Sequence, residues 1–334
     1  MKKRSFSLLG ILLAWCAMAA GASAVTYDTH NMAPSGSNNV TLWGNINNRG
    51  DTVACEPVST GGYRTFFYNP VTGTRNTIGN FSSPWSVTGI SDNAQITGIL
   101  ESRALTWSES QGVTQLGSLN GEMTSPSAIN GSGAIVGTSG SLAFYWICTD
   151  GMCQADNLVA PRAINDAGIV VGCIDVQGDC HAAIWSLEDG MQDLGTLGGR
   201  ISYATDVNSK GEVLGYSYVN DYTQAVFVWD KDQGMRELFT LPFGSFYPRA
   251  LNDDGWIVGS CSEGGFVWSP YGGLNYVAGL DAYDINNAGQ ITGIVRDGTT
   301  SRLVLWNPVP EPSSLLALFA GIGAMGAVIR RRRG

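Results

Sequence analysis

Residues 164–172 read INDAGIVVG, and the stretch returns as AINGSGAIVG, DVNSKGEVLG, ALNDDGWIVG and DINNAGQITG, with weaker copies NINNRGDTVA and GISDNAQITG. The seven copies set their asparagine position at Asn47, Ser91, Asn130, Asn165, Asn208, Asn252 and Asn286. Each is followed by an apolar or aromatic strand ending at Tyr68, Trp107, Trp146, Trp185, Trp229, Trp268 and Trp306, at successive spacings of 39, 39, 39, 44, 39 and 38 residues. A unit of this size buries its apolar face only against its neighbours, so the period predicts a stacked or closed array.

The chemistry of one unit is local. Asn-x-x-Gly between two apolar runs predicts a type I turn closed by a residue in the left-handed region, where glycine is nearly free of strain. The asparagine side chain can bond backbone amides across that turn, which makes these residues structural rather than catalytic. Ala94 stands where the second copy needs its glycine, so that turn is expected to be strained or rearranged. A strand such as IVVG follows, then a variable loop, a strand such as AAIW, and a glycine turn into a fourth strand, as in EDGMQDLG at residues 188–195. The link TLGGRISY then reaches the next copy. Four antiparallel strands in about 40 residues is the size of a propeller blade. The last copy ends at Trp306 with three strands, while residues 25–30, VTYDTH, precede the first copy by about one strand length. The expected fold is all-β: a seven-bladed β-propeller of four-stranded blades over residues 25–308, closed by the N-terminal strand so that no edge stays open. A β-solenoid is the alternative, and it would need no such exchange.

The two ends differ from the body. Residues 1–24 carry Lys2, Lys3 and Arg4, then an apolar stretch, then Ala22-Ser23-Ala24. That pattern is a signal peptide cut after Ala24, by the Sec route since no twin arginine is present. Residues 309–334 hold Pro310-Glu311-Pro312, a 15-residue apolar run from 315 to 329, and Arg330 to Arg333. A spanning helix usually needs about 20 residues, so the run is a short transmembrane helix suited to a temporary anchor. Its arginines would stay on the cytoplasmic side. A permanent anchor in a locally thinned bilayer is the alternative. Without these ends the body has 12 basic residues against 27 acidic ones. Such a surface repels nucleic acid and anionic lipid, leaving membrane contact to the tail alone.

Six cysteines remain once Cys16 leaves with the leader, and an even count in an exported chain suggests disulfides. Cys148 and Cys153 flank one turn, Cys173 and Cys180 another, both short enough for bridges within a hairpin. Cys55 and Cys261 are read as buried small residues.

Two stretches resemble known families. DLGTLGG at residues 193–199, followed by SYATDVN and strands such as AVFVW, resembles the HAF family of bacterial extracellular repeats, and LGSLNG at 116–121 is a partial copy. The resemblance covers residues 25 to 306. It implies export and a repeat β-fold, and carries no established activity. The tail is similar to the PEP-CTERM sorting signal, through Pro310-Glu311-Pro312, the short apolar run and the arginine cluster. That resemblance implies an exosortase that recognises the Pro-Glu-Pro region and removes the tail during delivery to the surface of a Gram-negative cell.

A catalytic constellation is not legible. His30 and His181 are the two histidines, which leaves no zinc spacing and no Ser-His-Asp set. The glycines follow the turn period rather than a phosphate loop. NDDG at residues 252–255 invites calcium, yet lacks the alternating oxygen ligands and terminal Glu of the known loop; no cofactor is expected, with calcium at this turn as the alternative. Asp206, Asp221, Asp253, Asp254 and Asp284 show no readable pairing, whereas glycosidase chemistry needs two carboxylates at a defined separation.

Aromatic residues are the stronger signal. In an up-down blade, the blade-to-blade links and the second-to-third strand loops share one face, opposite the Asn-x-x-Gly turns. Trp85, Tyr203, Tyr247 and Tyr283 lie in or just after such links, and Tyr218 and Tyr222 border one such loop. These six are the candidate ligand residues, stacking on sugars or meeting a protein, with blade packing as the competing role. The sequence therefore predicts a secreted, surface-sorted, non-enzymatic propeller that binds polysaccharide or protein in the envelope or extracellular matrix. A polysaccharide-active lyase or glycosidase on the same scaffold and a purely structural matrix protein are the alternatives.

Overall fold

A computed structural model describes residues 26–31, 41–42, 45–240, 246–262, 264–277, 280–297 and 300–309. These residues form seven four-stranded antiparallel sheets with no helix among them, a seven-bladed β-propeller. Blade 5 shows the plan, with strands Ser202–Val207, Val213–Tyr218, Gln224–Asp230 and Gly234–Thr240 paired in chain order. The first strands of blades 2 to 7 touch one another in succession, as the inner strands around a propeller axis do. Blade 7 is built from Leu280–Ile285, Ile291–Asp297 and Thr300–Val309, and its fourth strand is the N-terminal Thr26–Asn31. Thr26 lies opposite Val309 and Asn31 opposite Val304, so the chain's first strand closes the ring.

The core is a set of radial seams between blades. Trp107, Trp146, Trp185, Trp229, Trp268 and Trp306, which end their third strands, each pack into the seam shared with the preceding blade. The seam between blades 4 and 5, for example, joins Val171, Ala182 and Leu194 to Val213, Phe227 and Trp229. This is the physical content of the repeat, since half of every apolar seam belongs to the next unit.

On the turn face the asparagines do two jobs. The Asn165 Oδ1 accepts the Ala167 and Ile169 amides at 3.1 and 3.0 Å, closing its own turn. Its Nδ2 donates to the Asn208 carbonyl of the next blade at 2.9 Å. The same bridge runs from Asn47 to Ser91, Asn130 to Asn165, Asn208 to Asn252, Asn252 to Asn286, and Asn286 back to Asn47, at 3.0–3.3 Å. Ser91 cannot donate in this way, and Asn93 Nδ2 reaches the Gly131 carbonyl at that junction instead. All seven blades are thus tied in a circle of side-chain amides. Ala94 keeps the turn by adopting φ 58°, a left-handed conformation that costs a non-glycine residue roughly 1–2 kcal/mol.

Of the cysteines, Cys173 and Cys180 are bridged, with Cα atoms 5.8 Å apart. Cys148 and Cys153 are not, which corrects the hairpin expectation. The register explains it: Ile147 faces Gly151 to close that hairpin, leaving Cys148 in the turn while Cys153 lies opposite Tyr145. Cys55 is buried with its thiol 2.9 Å from the Thr65 hydroxyl, and Cys261 is half-buried.

Candidate functional site

The inner strands run from the link face to the turn face, and each position along them has its own surroundings. In blades 2, 3, 5, 6 and 7 the strand bulges at the residue three before the asparagine position. A bulge sets two residues against one and re-aims a side chain. Here it holds Thr88, Ser127, Thr205, Arg249 and Tyr283, with Arg162 at the same position of blade 4. Across from the bulge the second strand carries a glycine. At Gly215 a Cβ would overlap the Tyr203 carbonyl oxygen, so only glycine lets the inner strand come this close.

Four of the six sequence candidates meet on this scaffold. Tyr203 lies opposite Tyr216 in blade 5, with ring centroids 5.1 Å apart. Tyr247 of blade 6 is 55% exposed at the link-face end of its inner strand. Arg249 stands over the Tyr283 ring of blade 7 at 5.0 Å and donates to the Ser260 hydroxyl at 3.5 Å. The Tyr216 hydroxyl is pushed up to about 12 by burial and by the neighbouring Tyr203 and Tyr218 phenols, with the Arg162 guanidinium drawing it back and Tyr247 adding to the rise. Tyr203 and Tyr216 of blade 5, Tyr247 of blade 6 and Tyr283 of blade 7 are thus carried by neighbouring blades, with Arg249 stacked on Tyr283 and Arg162 at the matching position of blade 4. Tyr216 stays a neutral hydrogen-bond donor at every physiological pH.

The other two candidates sit elsewhere. Tyr222 projects from the loop after Tyr218, 93% exposed, in a turn where the Asn220 Oδ1 accepts the Tyr222 and Thr223 amides. Trp85 is fully buried in the seam of blades 1 and 2, its ring 5.5 Å from Phe81, which corrects its reading as a ligand platform. The cause is a parity of one residue. Tyr203 and Tyr247 stand five places before the asparagine position, whereas Trp85 stands six before it, as does the equally buried Phe246. Adjacent strand residues point to opposite sides.

The carboxylates serve the ring. Asp206 Oδ2 accepts the Leu251 amide of blade 6 at 2.7 Å, and Asp284 Oδ2 accepts the Ile46 amide of blade 1 at 2.9 Å. Each also takes the amide of its own following residue. Burial pushes both up to about 7, and for Asp206 the nearby Asp284 carboxylate adds to the rise. In the unfolded chain both would titrate at their ordinary value near 3.8. Between those values the unfolded chain releases protons that the folded chain keeps, so stability falls as pH rises from about 4 to 7. Urea unfolding of the D206N/D284N variant, compared with the parent over that interval, should show the pH slope reduced and the greatest relative gain above pH 7. An unchanged slope would mean that both carboxylates are ionised in the folded state.

Other chemistry is accounted for locally. In NDDG the Asn252 Oδ1 is occupied by its turn, and Asp253 Oδ1 accepts the Ser209 amide of blade 5. His181 Nδ1 lies 3.0 Å from Asp193 Oδ2 on the outer strands of blade 4. Among the described residues no group of three or more His, Cys, Asp or Glu is placed to hold a metal ion. No helix among them is long and apolar enough to cross a membrane. The expected leader with Ala22 and Ala24, and Pro310, Glu311 and Pro312 of the tail, lie outside the described residues.

Residues 308–333 match the PEP-CTERM protein-sorting motif. The motif implies export and a C-terminal sorting tail processed by an exosortase. No curated protein matches the chain. Among solved structures it is similar to the β-propeller domain of the Trilobed protease from Pyrococcus furiosus, which has an open velcro topology: TM-score 0.53, 14% identity, 81% of this chain and 94% of that one. It is also similar to the Pyrococcus horikoshii acylaminoacyl peptidase, at TM-score 0.51 and 12% identity over 86% of this chain and 53% of that one. TolB from Acinetobacter baumannii aligns at TM-score 0.46 and 13% identity over 78% of this chain. The chain spans 64% of that TolB and about half of the peptidase, and identities this low show the fold alone.

Proposed function

We propose that the protein is a non-enzymatic binding propeller, sorted to the cell surface, whose axial mouth holds polysaccharide of the envelope or extracellular matrix. The observation that carries this reading is the convergence of tyrosines from three blades, Tyr203 and Tyr216, Tyr247, and Tyr283, beside the axis. Half-exposed aromatic faces with hydroxyl donors suit sugar rings, which offer C–H faces for stacking and hydroxyls for hydrogen bonds. The resemblance of residues 193–199 to HAF repeats and the PEP-CTERM tail favour an extracellular setting. The leader expected over residues 1–24 would use the same route, with release of the tail placing the chain at a Gram-negative surface.

A glycan array probed with the purified chain tests the reading. Each stacking tyrosine contributes about 1 kcal/mol. The Y203A/Y247A variant should then bind its glycan roughly 30-fold more weakly. Full binding by that variant would place the site elsewhere. Reducing sugar released from a bound polysaccharide would replace the reading by the enzymatic one.

A further inference from the structure

We propose that the mouth selects carboxylated sugars, the uronate units of an acidic polysaccharide, through Arg162 and Arg249. The inference rests on the glycan-binding reading of the same mouth and adds the class of sugar.

Arginine use across the protein is the first observation. Arg49, Arg64, Arg75, Arg200 and Arg236 each pair with a carboxylate of this chain. Arg103, Arg162 and Arg249 have no carboxylate partner among the described residues, although the body carries more than twice as many acidic as basic groups. Of the three, Arg162 and Arg249 stand three residues before their asparagine, at the inner strands beside the tyrosines. Both are exposed; Arg249 occupies the bulge of its inner strand, and Arg162 stands at the equivalent position of blade 4. Two exposed guanidiniums without a carboxylate partner, at matching positions of blades 4 and 6, can take an anion supplied from outside.

The second observation is what surrounds them. Arg249 is held over Tyr283 at 5.0 Å and tied to Ser260, so much of its side-chain freedom is already lost before a ligand arrives. A guanidinium offers a planar fork that matches a carboxylate bidentately, better than it matches a hydroxyl. In a uronate the carboxylate lies at the edge of the pyranose ring, so a ring stacked on a tyrosine face directs its charge sideways, toward a neighbouring blade. Arg162 on blade 4 and Arg249 on blade 6 flank the blade 5 tyrosines on both sides. The acidic remainder of the surface repels polyanions, which confines binding to this mouth and makes it sensitive to salt.

Calorimetric titration of the purified full chain with polygalacturonate oligomers, neutral dextran and dextran sulfate tests the assignment. The expected result is binding of the uronate oligomer that weakens with salt and falls at least tenfold in R162Q/R249Q, with the thermal midpoint unchanged. R162K/R249K should recover only part of the loss, because an ammonium cannot make the bidentate fork. Equal binding of dextran and uronate, indifferent to R162Q/R249Q, would overturn the selection while leaving glycan binding in place. Dextran sulfate bound as tightly as uronate would reduce the site to general charge attraction and overturn the carboxylate claim. No binding of any glycan would remove both this inference and the reading beneath it.

Discussion

Replacing Asn252 with alanine should lower stability by about 2–3 kcal/mol, because it leaves two backbone amides without a partner and takes one of two donors from the Asn286 carbonyl, which keeps the Gly289 amide. Its Oδ1 accepts the Asp254 and Trp256 amides at 3.1 and 2.9 Å, and its Nδ2 donates to the Asn286 carbonyl at 3.2 Å. The side chain is 4% exposed, so water is poorly placed to replace these bonds. Aspartate at the same position separates the two roles. It keeps the oxygen that closes the turn, loses the donor to blade 7, and sets a carboxylate oxygen against a carbonyl. If the inter-blade bridge matters, N252D is destabilised as well, and urea unfolding reads it as a lower midpoint with the slope retained. A loss confined to N252A would reduce the ring of amides to a by-product of turn geometry. The natural gap in the ring gives the reverse test. Ser91→Asn restores a donor opposite the Asn130 carbonyl and should raise the midpoint.

The period and the turn chemistry made the architecture readable, because both are local: spacing near 40 sets the blade, and Asn-x-x-Gly sets the turn. Closure was readable by counting strands, three in the last copy and a spare one ahead of the first copy. The second duty of the asparagines was not readable. Their Nδ2 groups seek a backbone carbonyl about one repeat away, and a carbonyl has no residue identity to recognise. Trp85 failed as a ligand residue for a similar reason. A link and the strand after it differ by one position in which way they point, and aromatic content does not reveal which parity a residue has.

The site was legible in part. Tyr203, Tyr218, Tyr247 and Tyr283 are carried by the link face, as the loop logic expects, but Tyr216 enters through its register opposite Tyr203. Arg162 and Arg249 were in plain view in RAIN and RALN, beside YDIN with Tyr283. What hid them was the bulge. Strict alternation along a flat strand gives that position no distinct direction, whereas the extra residue at Arg249 sets it apart from its neighbours, and Arg162 holds the same place in blade 4. The glycine opposite, in IVVG and its relatives, was the available signal, since a repeated glycine inside a strand marks a bulge or a close backbone approach.

A chain begun at residue 32 should lose the folded propeller altogether, or nearly so. Removing Thr26–Asn31 leaves the strand Thr300–Val309 with an unpaired edge along six residues, from Val304 to Val309. An exposed edge of that length templates pairing with other chains, so size-exclusion chromatography should show oligomers or aggregate where the parent elutes as a single species. The stability at stake is comparable with the whole of a domain's margin, about 5–15 kcal/mol, because an open ring also frees blade 7 from the seam it shares with blade 1. Loss on truncation alone could reflect a damaged N-terminus, and the register supplies the control. Thr26 pairs with Val309 in antiparallel sense, so the end of one strand stands beside the start of the other. A turn of about 2–5 residues can join them. A permuted chain that starts at residue 32 and carries residues 26–31 after such a turn beyond Val309 should recover the parent's melting midpoint. A solenoid would be indifferent to both changes. Truncation without loss would mean that the ring is held closed by the amide circle and the seams alone, and permutation without recovery would mean that the loss has a cause other than the missing strand.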